Sequence, residues 1–407
     1  MTAEELRKQF PILDREVYGK PLIYLDNAAT TQRPLSVVNA LSELSLMHNG
    51  NTHRAVHAMA GEATREFERA REEVRDFIGA ESAEEIVFTS GTTASINLVA
   101  SSFGDKFIGQ GDEIILAESE HHSDIIPWQL LCERKGSKLV VLPVDDSGRL
   151  EVEKLPDLIT ERTKLVCVAH VSNVLGLVNP IREIVSIAHS YGIRVLVDGA
   201  QAVAHRRVSV KALDCDFYAF SGHKMYAATG IGVLYAKKQL LEQMPPYMGG
   251  GEMIDTVSWE GSTYAPVPFK FEAGTPNINA VPTFIPAIAL VKQMAEEECA
   301  TELEEIKHFV YEALSSDERV VLHGTTDDLD EKLPLFSFSV KGVHHEDLAL
   351  VLDKMGIALR SGHMCAQPLM TRYGVTGMLR ASFSPYNTLN EARCFIKSLN
   401  KAIDMLS

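Results

Sequence analysis

Residues 193–224 read IRVLVDGAQAVAHRRVSVKALDCDFYAFSGHK: two short apolar runs, each stopping at polar, chemistry-bearing side chains. The first run ends at Asp198, the second at Ser221, His223 and Lys224. Upstream the same texture recurs in DEIILAES (112–119), KLVVLPV (138–144) and TKLVCVAHV (163–171), with a helix-like IREIVSIAHSYG at 181–192 between runs. Short Val/Ile/Leu-rich runs alternating with amphipathic segments imply a mostly parallel sheet covered by helices on both faces. In such sheets ligands sit beyond the carboxyl ends of the strands, so the polar residues closing each run are the ones to inspect.

Working outward, EEIVFTSGTT (84–93) is a further run, a glycine turn and a helix expected from Ala94. In 61–79, Phe67, Ala70, Val74, Phe77 and Ile78 fall on one helical stripe with the charges elsewhere, as in a half-buried helix. Past about residue 285 a long helix is expected from Ile288 to about Leu314. LFSFSV (335–340), a helix at 346–356, IALRSG (357–362), MLRASFS (378–384) and a closing helix near 389–406 follow. The expected organisation is a helical N-terminal segment, 1–22, packing on a small domain; a large domain, 23–287; and a small C-terminal α+β domain, 288–407.

The chain has 407 residues, 45% apolar and 23% charged, with a net charge of −16. That balance argues against nucleic-acid and anionic-membrane surfaces, which need a basic footprint. No stretch approaches the roughly 20 apolar residues of a membrane helix. MTAEELRKQF (1–10) lacks the apolar region of a secretory signal. Six scattered cysteines without a CxxC pair suit free thiols in a reducing cytoplasm and no metal site.

Three strand ends combine chemically. Backbone N–H groups and hydroxyls of Ser90-Gly91-Thr92-Thr93, opening a helix, suit a phosphate. Asp198 needs a cationic partner, because burying a lone charge is costly. Lys224, at a buried strand end, suits an amine nucleophile. Each has a plainer reading, as a helix cap, a turn carboxylate and a solvated lysine. Together they match pyridoxal phosphate, whose phosphate, pyridine nitrogen and aldehyde require those three groups.

The segments LDNAAT (25–30), SGTT (90–93), EHHSDIIPW (120–128), HVSNVLG (170–176), VDGAQ (197–201), FSGHK (220–224), FEAGTPN (271–277) and RSGHMCAQPL (360–369) carry a resemblance over almost the whole chain. In this order and spacing they resemble the group II cysteine desulfurases of the SufS/CsdA type, within the fold-type I pyridoxal 5'-phosphate proteins. The resemblance implies an α/β fold, with a mostly parallel seven-stranded sheet in the large domain and a smaller α+β domain. It gives Lys224 the covalent link to the cofactor and the later movement of the Cα proton. Asp198 is implied at the pyridine nitrogen, Gln201 near the phenolic oxygen and His121 over the ring. Thr92, Thr93, Ser221 and His223 are implied at the phosphate. Thr275 is implied to reach the phosphate from the other subunit of a homodimer, and His53 and Arg54 to face the neighbouring site. Ala28, Asn173, Arg360 and Arg380 are implied around the substrate, with Arg380 gripping its carboxylate.

Cys365 carries the functional expectation. It lies in a polar segment after Arg360 and His363, cations able to lower a thiol pKa, and only a thiolate is a nucleophile. Cys132, Cys167, Cys215, Cys299 and Cys394 read instead as small buried hydrophobes. The implied reaction converts L-cysteine to L-alanine, leaves a persulfide on Cys365 and passes it to a SufE-type acceptor protein, for iron–sulfur clusters or other sulfur metabolism. L-selenocysteine and L-cysteine sulfinate are the alternative substrates, for which Cys365 is dispensable. A sulfur-relay scaffold without cofactor conflicts with the intact Lys224, Asp198 and His121, and an aminotransferase does not call for the Cys365 segment. Three positions depart from the pattern: Ala94 where Glu is frequent, Ala227-Ala228 for Gly-Pro, and Met364 where His is common.

Overall fold

A computed structural model describes residues 1–53 and 56–407. Seven strands form the main sheet: β1 (Ile86–Thr89), β2 (Glu113–Ala117), β3 (Lys138–Leu142), β4 (Thr163–Ala169), β5 (Arg194–Asp198), β6 (Phe217–Ser221) and β7 (Gly232–Ala236). Their spatial order is β1-β7-β6-β5-β4-β2-β3. β7 pairs antiparallel with β1 and β6, and the remaining pairs are parallel. The mostly parallel sheet expected from the alternation is present. Its inner strands are buried on both faces, so they read as continuous apolar runs, while the edge strand β3 is partly exposed. Ile115, Val166, Val168, Val195 and Val197 join the core on one face, while Ile114, Leu116, Leu165, Cys167 and Leu196 fill the other.

A second sheet of four antiparallel strands follows: β8 (Val320–His323), β9 (Leu335–Val340), β10 (Arg360–Gly362) and β11 (Met378–Ser382), in the order β8-β9-β11-β10. Phe336, Phe338, Leu379 and Ala381 from it pack with Ile306, Phe395 and Leu399 of flanking helices.

The two sheets are stitched through segments remote in sequence. Ile23–Tyr24 pairs in parallel with Ile357–Ala358. Asn27 donates its side-chain amide to the Ser382 carbonyl at 2.7 Å, a contact spanning 355 residues of chain. Lys332, fully buried, donates to the carbonyls of Leu175 (2.5 Å) and Gly324 (2.9 Å), and Ser337 to that of Val174. The loop after β4 is thereby fixed to the second sheet. Residues 1–22 touch both halves: Arg7 pairs with Glu391 at 2.9 Å, and Phe10 packs on Tyr226 and Tyr386. Within them only Ala3–Arg7 and Pro11–Asp14 are helical.

Four expectations need correction. The single helix from Ile288 to Leu314 is two, Phe284–Met294 and Glu298–Ser315. Glu297 is extended at the break, and the Cys299 N–H donates to the Met1 carbonyl. No Gly or Pro marks the spot, so the sequence pattern ran straight through it. The helix expected from Ala94 starts at Thr92. Cys394 is exposed, because it lies off the buried stripe of its helix (Ala392, Phe395, Leu399), and Cys132 is only half-buried. Arg71, one of the charges lying off the apolar stripe of 61–79 in a helix expected to be half-buried, is 1% exposed.

Candidate active site

The strand ends converge as the sheet topology requires. β1, β2, β4, β5 and β6 deliver Thr92, His121, Asn173, Asp198 and Lys224 to one cavity of about 220 Å³, which the second sheet closes with Arg360, Cys365 and Arg380.

Ser90–Thr93 turns tightly from β1 into the helix Thr92–Val99. The turn packs on β7 so closely that a Cβ on Gly232 would lie 2.4 Å from the Gly91 Cα. Glycine at 232 is what lets the turn sit there. The Ser221 hydroxyl accepts from the Thr92 N–H at 2.8 Å and pairs with the Thr92 hydroxyl at 2.8 Å. The Thr93 hydroxyl pairs with Ser123 at 2.7 Å, and the His223 Nδ1 lies 3.3 Å from the Thr30 hydroxyl. Three hydroxyls, an imidazole and the open first turn of a helix make an anion cradle. Burial, with help from Lys224, pulls His223 down to about 4.

Asp198 is 7% exposed, and one of its oxygens accepts from the Ala200 N–H at 2.9 Å. Burial pushes its pKa up, opposed by Lys224. Lys224 ends a single 3-10 turn after β6, and loss of water pulls its pKa down against the pull of Asp198. Gln201 donates to the Ala28 carbonyl at 2.8 Å. His121 accepts the Ser123 N–H on Nδ1 at 3.0 Å, and burial lowers its pKa to about 3. The ring is therefore neutral and carries its proton on Nε2.

Another part of the cavity is built around Arg380. One terminal nitrogen donates to the Asn173 carbonyl (2.8 Å) and the other to Asp26 (3.3 Å), while its Nε has no partner. Arg360 stands 3.7 Å from the same carboxylate. Asn173 donates its side-chain amide to the Met364 carbonyl at 2.7 Å. The Cys365 carbonyl accepts from the His122 N–H at 2.7 Å. Met364 and Cys365 both have left-handed backbones, φ 47° and 56°, which turn the exposed Cys365 into the cavity mouth. Such residues persist only where their surroundings over-determine them.

Of the residues singled out from sequence, Ala28, Thr92, Thr93, His121, Asn173, Asp198, Gln201, Ser221, His223 and Lys224 line this cavity together with Arg360, Cys365 and Arg380. Thr275 does not; it is exposed on the loop at 271–280. His53 is also elsewhere, 2.9 Å from Glu68, and Arg54 lies outside the described residues. Sequence reasoning missed Asp26, although it sits inside the quoted LDNAAT, because Arg380 is 354 residues away. It also missed Glu120 and Asp124, fully buried on either side of the two histidines.

The donor set fits a pyridine phosphate bearing an aldehyde. A strand-end carboxylate, a hydroxyl-rich cradle admitting only glycine at its back, and an amine at the next strand end surround one cavity, and the unpartnered Arg380 Nε awaits an acceptor.

The family profile for "Aminotransferase class-V" matches residues 23–395. A probable cysteine desulfurase of Vibrio cholerae is 43% identical over 406 residues, covering 100% of both chains. Among solved structures, the cysteine desulfurase CsdA of Escherichia coli superposes with a TM-score of 0.90 at 38% identity, covering 100% of each chain. The apo cysteine desulfurase of Thermococcus onnurineus superposes with 0.93 at 38% identity, covering 100% of this chain and 99% of that one.

Proposed function

The chain belongs to the aminotransferase class-V family, and from that premise we propose that it is a pyridoxal-phosphate-dependent cysteine desulfurase. The observation carrying this reading is that Lys224, just after a strand of the main sheet, and Cys365, just after a strand of the second, line one cavity beside a half-satisfied arginine.

Thr92, Thr93, Ser221 and His223 would hold the phosphate, Asp198 the pyridine nitrogen, Gln201 the phenolic side, and Lys224 the aldehyde carbon. The bound group supplies an electron sink for charge developing at the substrate Cα. Arg380, steadied by Asn173, fixes the carboxylate of L-cysteine, with Arg360 and Ala28 alongside. Lys224, whose amine is kept reactive by burial, takes the Cα proton. His121 would offer a neutral imidazole to the bound groups. The Cys365 thiolate attacks the substrate sulfur: an S–S bond forms, the substrate C–S bond breaks, and reprotonation gives L-alanine. The persulfide left on Cys365 sits on an exposed side chain. From there thiol exchange passes it to a SufE-type acceptor protein.

The working unit is a homodimer: Thr275 and His53, absent from the cavity of their own chain, serve the partner's. Within each chain, residues 23–287 hold the cofactor and 288–407 bring the nucleophile. Among the described residues no helix is long and apolar enough to cross a membrane. The six free cysteines suit the reducing cytoplasm.

The test is alanine release from L-cysteine, with reductant, by wild type and by Cys365→Ala carrying its cofactor. Loss of on the order of a hundredfold or more in the variant is expected. Equal release makes Cys365 structural and transfers the reading to a selenocysteine lyase or cysteine sulfinate desulfinase.

A further inference from the structure

Near Asp198 two buried carboxyl groups meet, with no cation among the described residues acting on them. Glu120 follows β2, and Asp124 closes the 3-10 turn 122–124; both are 0% exposed. Glu120 Oε1 accepts from the Ala169 N–H and Asp124 Oδ1 from the Trp128 indole, each at 2.8 Å. The other two oxygens, Glu120 Oε2 and Asp124 Oδ2, are buried with no donor, although the two carboxyls are in hydrogen-bonding contact with each other. Among the described residues the ionisable groups facing them are Asp198 from β5 and Cys167 from β4, neither a cation; Lys224 acts on Asp198.

Two touching carboxylates cannot both stay ionised in a site closed to water. A single proton satisfies both orphaned oxygens at once, one as donor and one as acceptor, whereas a second proton would be a buried donor with nothing to receive it. We propose that Glu120 and Asp124 share one proton and act as a positioning pair. The O–H···O⁻ bond clamps the start of the 120–124 turn to its end. His121 lies between them and is held toward the cavity, with its Nδ1 on the Ser123 N–H. The pair keeps one negative charge near Asp198, which favours a proton on whatever base Asp198 faces. The roles of His121 and of the cofactor rest on the reading above; the shared proton does not.

Infrared difference spectroscopy of the cofactor-loaded enzyme at neutral pH tests it. Wild type shows the carbonyl band of one protonated carboxylic acid. Asp124→Asn and Glu120→Gln each lose it, because the new amide donates to the remaining carboxylate without a proton. No band in wild type, or a band surviving in both variants, overturns the proposal. The double variant Glu120→Gln/Asp124→Asn removes the pair's one charge, so the pH midpoint of the cofactor's visible absorbance falls relative to Asp124→Asn. An unmoved midpoint overturns the electrostatic role. A protein that shows the infrared band but releases no alanine keeps the shared proton and loses the desulfurase reading, so the two fail separately.

Discussion

Among the described residues two arginines are almost wholly buried, and they are treated in opposite ways. Arg71 donates to both oxygens of Glu272 (2.7 and 2.9 Å), to both of Glu68 and to the Ile86 carbonyl, with Phe88 under its guanidinium at 4.6 Å. Arg380 has a carbonyl, one long contact to Asp26 and an unpaired Nε. Both lose water to burial. At Arg71 the two glutamates outweigh that loss and its pKa rises, whereas at Arg380 desolvation wins and its pKa falls. The carboxylates answer in kind. Burial works against Glu68, yet His53 and Arg71 hold it at about 2, while Asp26 stays above its ordinary value despite two nearby arginines. A saturated buried arginine is framework. One left partly unsatisfied has a donor to spare for an anion.

That contrast can be broken by mutation. The largest expected effect is at Arg71: Arg71→Ala strands two carboxylates and costs about 3–5 kcal/mol, read from urea unfolding. Arg380→Lys keeps the charge but loses the fork. We expect kcat/KM for L-cysteine to fall on the order of a hundredfold, with the unfolding midpoint little changed. A variant that instead unfolds easily makes Arg380 framework as well. Next is acid. Glu68 has a folded pKa below its unfolded one, so its contribution is complete above the unfolded value, about 4.3, and disappears as pH falls toward about 2. Glu68→Gln therefore flattens that limb of the stability–pH curve, and a limb that stays steep assigns the acid sensitivity elsewhere. The smallest effect tests whether bond count alone matters. Arg319 bonds Asp317, Asp404 and Asn400 as richly as Arg71 bonds its partners, but it is 40% exposed. Arg319→Ala should leave the unfolding midpoint where it is.

The same contrast explains what was legible in the sequence. Strand ends were readable because a run such as RVLVD states its burial and its terminus in five consecutive letters. Lys224, Asp198 and the Ser90–Thr93 turn therefore emerged from pattern and chemistry, and the family resemblance supplied Cys365 and Arg380. The pairings were not readable. Arg71 looked like one more charge on an amphipathic helix, because Glu272, which lets it go inside, is 201 residues away. Asp26 and the Glu120–Asp124 contact were missed for a related reason: local pattern records what a residue is, and burial depends on what distant chain folds over it. The helix break at 295–297 had no Gly or Pro to announce it, only a backbone contact from Met1.

The stitching of Asn27 to Ser382 bears on how the protein is made. A ribosome delivers residues 25–30 early and β11 near the end, so the floor of the cavity is synthesised long before its lid. Strand ends, cradle and Lys224 are all present on a nascent chain that still lacks Cys365 and Arg380. Such a chain carries the residues of the anion cradle but neither the exposed thiol nor the half-satisfied arginine that complete the cavity lining. The order of synthesis thus places the cradle and Lys224 on the chain well ahead of Cys365 and Arg380.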